Sequence, residues 1–335
     1  MGAVPRICGG ASGYQLEPNR LYIYKDSIQG ATSCCAVFLK GEEGTMAKKF
    51  GKSLLLLTAA LIWGLAFVAQ SAGTKYVGPY TFNSLRCFLG AAVLLPYIVF
   101  IQKGKRQSNE RHESMIIGGI CCGAFLFAGM SLQQIGIQYT SPGKAGFLTS
   151  LYIIIVPVIS FLFLRRKCGP TVWAAVLMAV AGIYMLSIND KLEIGKGDMY
   201  MIMCALMFTC QIIVIDYFST KADPVKLACT EFIVCGILSA MMMYKFETPD
   251  IENIKMAWKP ILYTGVLSTG VAYTFQIVGQ KSVNPTVASL LMSTESVFAL
   301  AGGYVILGQQ LTHRELLGCA MLLIAIVLAQ IPSSK

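Results

Sequence analysis

The stretch Ser289–Leu311 reads SLLMSTESVFALAGGYVILGQQL and is long and apolar enough to cross a bilayer. Glu295 lies near its middle, where a carboxylate costs at least about 2.5–3.5 kcal/mol on insertion scales. Membrane helices that keep such a residue usually turn it toward a partner or a water-filled path. This pattern favours a functional carboxylate. The alternative is a structural ion pair or hydrogen bond between helices.

The composition of the whole chain is that of a polytopic membrane protein. Of its 335 residues, 55% are hydrophobic and only 13% are charged, against roughly 25% charged in soluble domains. The net charge of +10 is spread in short clusters between apolar runs, which is not the pattern of a nucleic-acid binder. The two histidines stand alone and most of the twelve cysteines lie in apolar runs. We therefore expect no metal site, no cofactor and no disulfide framework.

Apolar runs of about 20 residues recur along the chain, separated by short connections with Pro, Gly, Asn or charge. Backbone amides in hydrocarbon must be bonded within their own segment, so these runs are predicted to be helices. The predicted fold class is an all-α integral membrane protein with ten transmembrane helices, at 53–72, 81–102, 115–136, 143–164, 170–188, 198–218, 225–245, 259–280, 285–307 and 313–331.

Residues 1–45 differ from the rest, since they hold no run long enough to span and no signal-peptide core. Met46 then opens a short basic lead-in to the first span. We expect Met46 to be the true start, because Lys40–Gly44 can be encoded by a purine run of the kind that binds bacterial ribosomes. The alternative is a disordered cytoplasmic tail.

Basic residues predict the orientation. With the start inside, the first three cytoplasmic regions hold ten Lys and Arg, while the outside ends between them hold only Lys75 and Lys144. The second half is less decisive. Ten spans then place both termini in the cytoplasm of a cell whose plasma membrane holds the protein.

The ten spans divide into two repeats of five, at 46–190 and 191–335, with spans and breaks in the same order. An odd number of spans per repeat inverts the second copy. Inverted repeats are an architecture of secondary transporters, whose sites lie at the repeat interface near the midplane. No GxxxxGK[ST] loop is present, so a primary pump is unsupported.

Three motifs resemble those of the EamA-type permeases in the drug/metabolite transporter superfamily. The run STESVFALAGGYVILGQQLT at 293–312 is similar to the signature of that family's final repeat, with Glu295 at its first acidic position. Gln309 departs from the second acidic position. IWG at 62–64 looks like the Trp-Gly pair of the family's first helix, and LRCF at 85–88 like the Arg-Phe of its second.

The resemblance covers about Lys48–Ile331 and implies a permease for amino acids, related metabolites or drugs, often in the export direction. Other partners would be the lipid bilayer and protons, and the protein would be a monomer or homodimer. Glu295, if it binds a proton in the bundle, would couple transport to a proton gradient. The alternatives are a non-transporting membrane sensor or an intramembrane enzyme, although the residue pattern of an enzyme is lacking.

Four residues fall near mid-depth and are the candidate substrate-binding residues: Glu295, Trp63, Tyr152 and Gln211. A tryptophan away from the interface either packs in the bundle or lines a cavity. Buried hydroxyls and amides often only join helices.

Four further polar residues are predicted to have gating or structural roles: Arg86, Glu231, Gln134 and Gln276. Arg86 lies near a helix end, where it could anchor a gate or reach the headgroups. Gly119 and Gly123 form a small-xxx-small pair that predicts close helix packing.

Overall fold

The structure is a computed structural model that describes residues 51–101, 112–140, 142–162, 165, 169–187, 195–307 and 312–330. All regular secondary structure within these ranges is helical, with no strand. This confirms the all-α prediction for the described part of the chain. The predicted leader 1–45, Met46 and the loop residue Gln309 lie outside the described residues.

Within the described residues, ten helical segments coincide with the predicted spans to within about three residues at each end. We number them α1 to α10 in chain order, and a short helix, Ile251–Met256, precedes α8. Their bounds are α1 Gly51–Gly73, α2 Pro79–Phe100, α3 His112–Gly136, α4 Pro142–Leu162, α5 Pro170–Ser187, α6 Lys196–Phe218, α7 Pro224–Phe246, α8 Trp258–Gln280, α9 Pro285–Ile306 and α10 His313–Gln330.

Eight of these helices are long and apolar enough to cross a membrane. The other two, α5 and α10, contain shorter apolar segments, Pro170–Gly182 and Leu316–Leu328. Length and composition therefore support eight membrane spans directly. Whether α5 and α10 also span, as the prediction of ten requires, depends on the side of the membrane at which the helix ends lie.

Local chemistry explains where several helices begin. Proline occupies the first position of α2, α7 and α9. An N–H at this position has no acceptor within the helix, so its absence in proline costs no hydrogen bond. The Asp223 carboxylate accepts from the amides of Val225 and Lys226 at 3.0 Å, and so caps α7. Asn284 caps α9 in the same way.

Small residues let the helices approach closely. A side chain at Gly119 would collide with Thr230, and one at Gly123 with Val234, both on α7. Gly118 leaves room for Phe218 of α6. The predicted close packing of this small-xxx-small face of α3 is confirmed.

The helix contacts repeat between the two halves of the described bundle. α2 packs against α7 and α5 against α10, and each pair joins corresponding helices of the two halves. The contact of α3 with α7 is matched by that of α2 with α8. Exchanging the halves therefore reproduces these contacts, as expected for two copies of one five-helix unit.

Two helices are broken, at corresponding places. α4 stops at Thr149 and resumes at Tyr152, and α9 stops at Met292 and resumes at Glu295. Serine and threonine hydroxyls near the breaks bond to backbone carbonyls of the preceding turn, which competes with the helix ladder. α8 is irregular in another way, with π-helical turns over Tyr263–Tyr273.

Candidate functional site

The breaks of α4 and α9 meet, and this meeting point brings together the first residue of each second half-helix. The Tyr152 hydroxyl donates to the Glu295 carboxylate across 3.0 Å. The Ser150 and Ser296 hydroxyls lie 2.7 Å apart beside them. Both Tyr152 and Glu295 are buried. Two candidates that are 143 residues apart in the sequence therefore form one polar contact between the halves.

A narrow cavity of about 30 Å³ lies beside this contact. Both halves of the chain supply its walls, which combine aromatic rings, amides and two charged residues. The lining residues are Trp63, Phe67, Gln70, Arg86, Gln133, Thr149, Tyr152, Phe208, Gln211, Ile212, Ser268, Tyr273, Gln276, Met292 and Glu295.

The cavity wall is itself built from corresponding positions of the two repeats. Thr149 and Met292 end the first half-helices of α4 and α9, and Tyr152 and Glu295 begin the second half-helices. The cavity therefore lies where the two halves meet, but the chemistry of the paired positions differs.

Trp63 forms one wall of the cavity. Its indole N–H donates to the Ser268 carbonyl, in the π-helical part of α8, at 3.2 Å. Its ring packs on Tyr273, with ring centroids 4.7 Å apart. The next residue, Gly64, leaves space for the backbone of Glu295 and for Phe298, so a larger residue there would push α1 away from α9. The Trp-Gly pair thus brings α1 against the second half of α9.

Gln211 lines the cavity and holds Glu231 behind it. The Gln211 amide donates to the Glu231 carboxylate across 2.5 Å. Glu231 is fully buried and is not part of the cavity lining. It lies inside an unbroken helix, α7, and is separated from the cavity by Gln211.

The other predicted residues divide between the cavity and the protein interior. Arg86 and Gln276 line the cavity. Gln134 does not; it is buried and donates to the Gln70 carbonyl at 3.4 Å, while its neighbour Gln133 faces the cavity. Arg86 is buried, so its guanidinium does not reach the protein surface.

Sequence reasoning missed several cavity residues, among them Phe67, Gln70 and Tyr273. Phe67 and Gln70 follow Trp63 by four and seven residues, so all three share a helix face. That spacing was a usable signal once Trp63 had been chosen. Tyr273 carries no comparable signal, because it sits in the π-helical segment, where the helical period changes.

The side chains that line this cavity are suited to binding a small molecule. Within the described residues, no group of three or more His, Cys, Asp or Glu side chains is arranged to hold a metal ion. The walls offer a carboxylate, a guanidinium, amides and aromatic rings, which are groups that recognise small organic molecules.

A helical bundle of two matched halves around a shared polar cavity, with broken helices crossing at its centre, defines the class of two-repeat helical membrane proteins. Comparison with known families makes this specific. Residues 51–188 and 195–330 each match the EamA-like transporter family. The chain belongs to that family, and it is a multi-pass membrane protein and a transporter.

Individual relatives agree. An uncharacterized transporter of Archaeoglobus fulgidus is 30% identical over 291 residues, covering 87% of this chain and 89% of the relative. The uncharacterized transporter YoaV of Bacillus subtilis is 25% identical, covering 80% and 92%. One solved crystal structure matches with a TM-score of 0.69 at 19% identity, covering 84% of this chain and 98% of that one, and supports the fold.

Proposed function

We propose that this protein is a secondary transporter that exports a small organic metabolite, such as an amino acid or drug-like compound, by alternating access. The observation that carries the proposal is the contact of Tyr152 with Glu295, where two broken helices from opposite halves cross beside a cavity shared by both. Broken helices at a repeat interface are where secondary transporters bind their substrates.

The proposal includes ten spans rather than eight, and an ion pair supports this count. Lys144, near the start of α4, lies 2.7 Å from Asp198, near the start of α6. Two helices, α4 and α5, separate these starts. Because α4 crosses the membrane, the starts share one face only if α5 crosses back. α10 packs along α5 and completes the tenth span.

A second contact has the same meaning. Glu247, just after α7, accepts hydrogen bonds from the amides of Tyr80 and Thr81, both at 2.8 Å, and so caps the start of α2. The end of α7 and the start of α2 therefore lie at one face. Six helices, α2 to α7, separate them, and an even number of crossings again requires α5 to span.

With ten spans, 46–190 and 191–335 become inverted repeats and both termini face the cytoplasm of the plasma membrane. Single cysteines test this in a cysteine-free background treated with an impermeant thiol reagent. We expect labelling in intact cells at Lys75 and Lys255, and shielding at Lys105 and Arg166. Labelling at Arg166 together with shielding at Lys255 would show that the protein has the opposite orientation in the membrane.

In the proposed mechanism the two halves rock about the crossing point of α4 and α9, opening the cavity to one side at a time. Glu295 binds and releases the coupling proton. The Tyr152 hydroxyl donates a hydrogen bond to the Glu295 carboxylate when that carboxylate can accept one. Loss of that contact when a proton or substrate binds would link occupancy of the cavity to movement of the two half-helices.

Counterflow in proteoliposomes tests the proposed function directly. Purified protein is reconstituted, loaded with an unlabelled compound from a panel of amino acids and drug-like molecules, and exposed to trace label outside. We expect transient accumulation of label for at least one compound, and none in protein-free vesicles. Binding without counterflow would instead favour a sensor, and conversion of the compound would favour an enzyme.

A further inference from the structure

Arg86 is a buried cation of the cavity wall that lacks a protein partner. Its side chain is only 1% exposed, and it is the largest of the fully buried side chains in the described part of the chain. It projects from α2 into the cavity lining. Two of its donor nitrogens, Nε and Nη1, are buried without a hydrogen-bond partner.

The neighbours of Arg86 do not neutralise it. The Phe82 ring lies 5.9 Å from the guanidinium carbon and offers at most a weak cation–π contact. Glu295 accepts from Tyr152, and Glu231 accepts from Gln211. Among the described residues, neither carboxylate forms an ion pair with Arg86.

A guanidinium stays protonated in proteins, so Arg86 cannot escape burial by losing its charge. A buried charge without a partner is strongly unfavourable, and arginine within a membrane bundle normally pairs with another group. An anionic group that enters the cavity from outside the chain would complete this site.

We propose that Arg86 binds the carboxylate of the transported substrate. This inference rests on the proposed transport function and narrows its substrate to carboxylate-bearing organic molecules, either amino acids or simple organic acids. It replaces a purely gating role for Arg86 with direct contact between its guanidinium and the substrate.

A carboxylate suits this site better than a phosphate does. The planar guanidinium fork matches the two oxygens of a carboxylate and can bond both. A monoanion balances the single charge of Arg86. A phosphate dianion would leave excess negative charge in the same cavity as Glu295.

The cavity also offers hydrogen-bond acceptors for the rest of the substrate. The side-chain oxygens of Gln70 and Gln276, both cavity residues, are buried without a donor. An N–H or O–H of the substrate would satisfy them. The unpaired groups of the cavity thus match a molecule that carries a carboxylate together with hydrogen-bond donors.

Matched pairs of probes test the inference. The probes are L-phenylalanine with L-phenylalaninamide, L-leucine with L-leucinamide, and 3-phenylpropanoate with 3-phenylpropanamide. Binding is measured by thermal stabilisation of the purified protein, and transport by counterflow. We expect each accepted acid to bind about 10- to 100-fold more tightly than its amide. The phenylpropanoate pair separates simple acids from amino acids.

Variants locate the effect at Arg86. Arg86→Gln is expected to remove the preference for the acid over its amide, while Arg86→Lys keeps a reduced preference because it retains the charge without the planar fork. Arg314→Gln, at an exposed arginine at the start of α10, serves as the matched control and leaves the preference intact. The comparison of acid with amide in the wild type holds even if Arg86→Gln fails to fold.

The outcomes separate this inference from the proposed function. A wild-type protein that transports acid and amide equally well is a transporter in which Arg86 does not read a carboxylate. Retention of the acid preference in Arg86→Gln would likewise overturn the assignment. A protein that neither binds nor transports any acid probe would contradict this inference, whereas absence of counterflow over the whole compound panel would contradict the proposed function.

Discussion

Glu295 and Glu231 are both buried carboxylates in the second half of the bundle, yet they occupy different surroundings. Glu295 begins the second half-helix of α9, lines the central cavity and accepts from Tyr152 of the other half. Glu231 lies inside the unbroken helix α7, outside the cavity lining, and accepts from Gln211.

This difference teaches that burial alone does not identify a functional carboxylate. Both carboxylates are buried, so the free-energy cost of removing each from water is similar. Of the two, Glu295 lines the cavity, contacts the other half of the bundle and lies at a break in its helix. We therefore propose that Glu295 couples transport to protons and that Glu231 positions the Gln211 amide at the cavity wall.

The largest effect is expected for Glu295→Gln. The amide is nearly isosteric and avoids a buried charge, so the fold should be kept. Loss of the carboxylate should nevertheless lower transport by about 10-fold or more. The measurement is the counterflow rate per molecule of detergent-stable protein. Normal transport with reduced thermal stability would make Glu295 a structural pairing group.

A smaller effect is expected for Tyr152→Phe, which removes only the hydroxyl that donates to Glu295. The net value of one such hydrogen bond is about 1 kcal/mol, which corresponds to a roughly fivefold change in rate. The double variant with Glu295→Gln should add little to the single Glu295→Gln. Strictly additive losses would show that the two residues act independently.

The smallest effect is expected for Glu231→Gln, the matched control on the other side of the comparison. Its amide oxygen can still accept from Gln211, and the cavity wall keeps its shape. Transport per folded molecule should change less than about twofold, because the substitution weakens only the hydrogen bond from Gln211, a contact that lies behind the cavity wall. A loss as large as that of Glu295→Gln would remove the distinction between the two carboxylates.

The helices were predictable because the bilayer imposes a simple rule on the sequence. Apolar length and internal backbone bonding fix the spans, and Pro79, Pro224 and Pro285 mark the helix starts. The breaks at 150–151 and 293–294 were not predicted. Serine and threonine hydroxyls beside them bond back to the preceding turn, a local feature that apolar length does not report.

The candidate site was predictable only in part. Glu295 and Trp63 stood out because each is unusual at mid-depth, and Tyr152 was chosen because it falls at a similar depth in the other half. Whether a glutamine faces the cavity depends on helix rotation: Gln133 lines it and its neighbour Gln134 does not. The unpaired state of Arg86 depends on tertiary packing, which the sequence does not display.

The most direct test of the central claim compares the proton-gradient dependence of transport in Glu295→Gln and Glu231→Gln proteoliposomes. Each variant is assayed with an imposed pH gradient and after the gradient is collapsed by an ionophore. We expect the gradient to change the rate in the wild type and in Glu231→Gln, and to leave Glu295→Gln unaffected. A gradient response that survives in Glu295→Gln and disappears in Glu231→Gln would contradict the account.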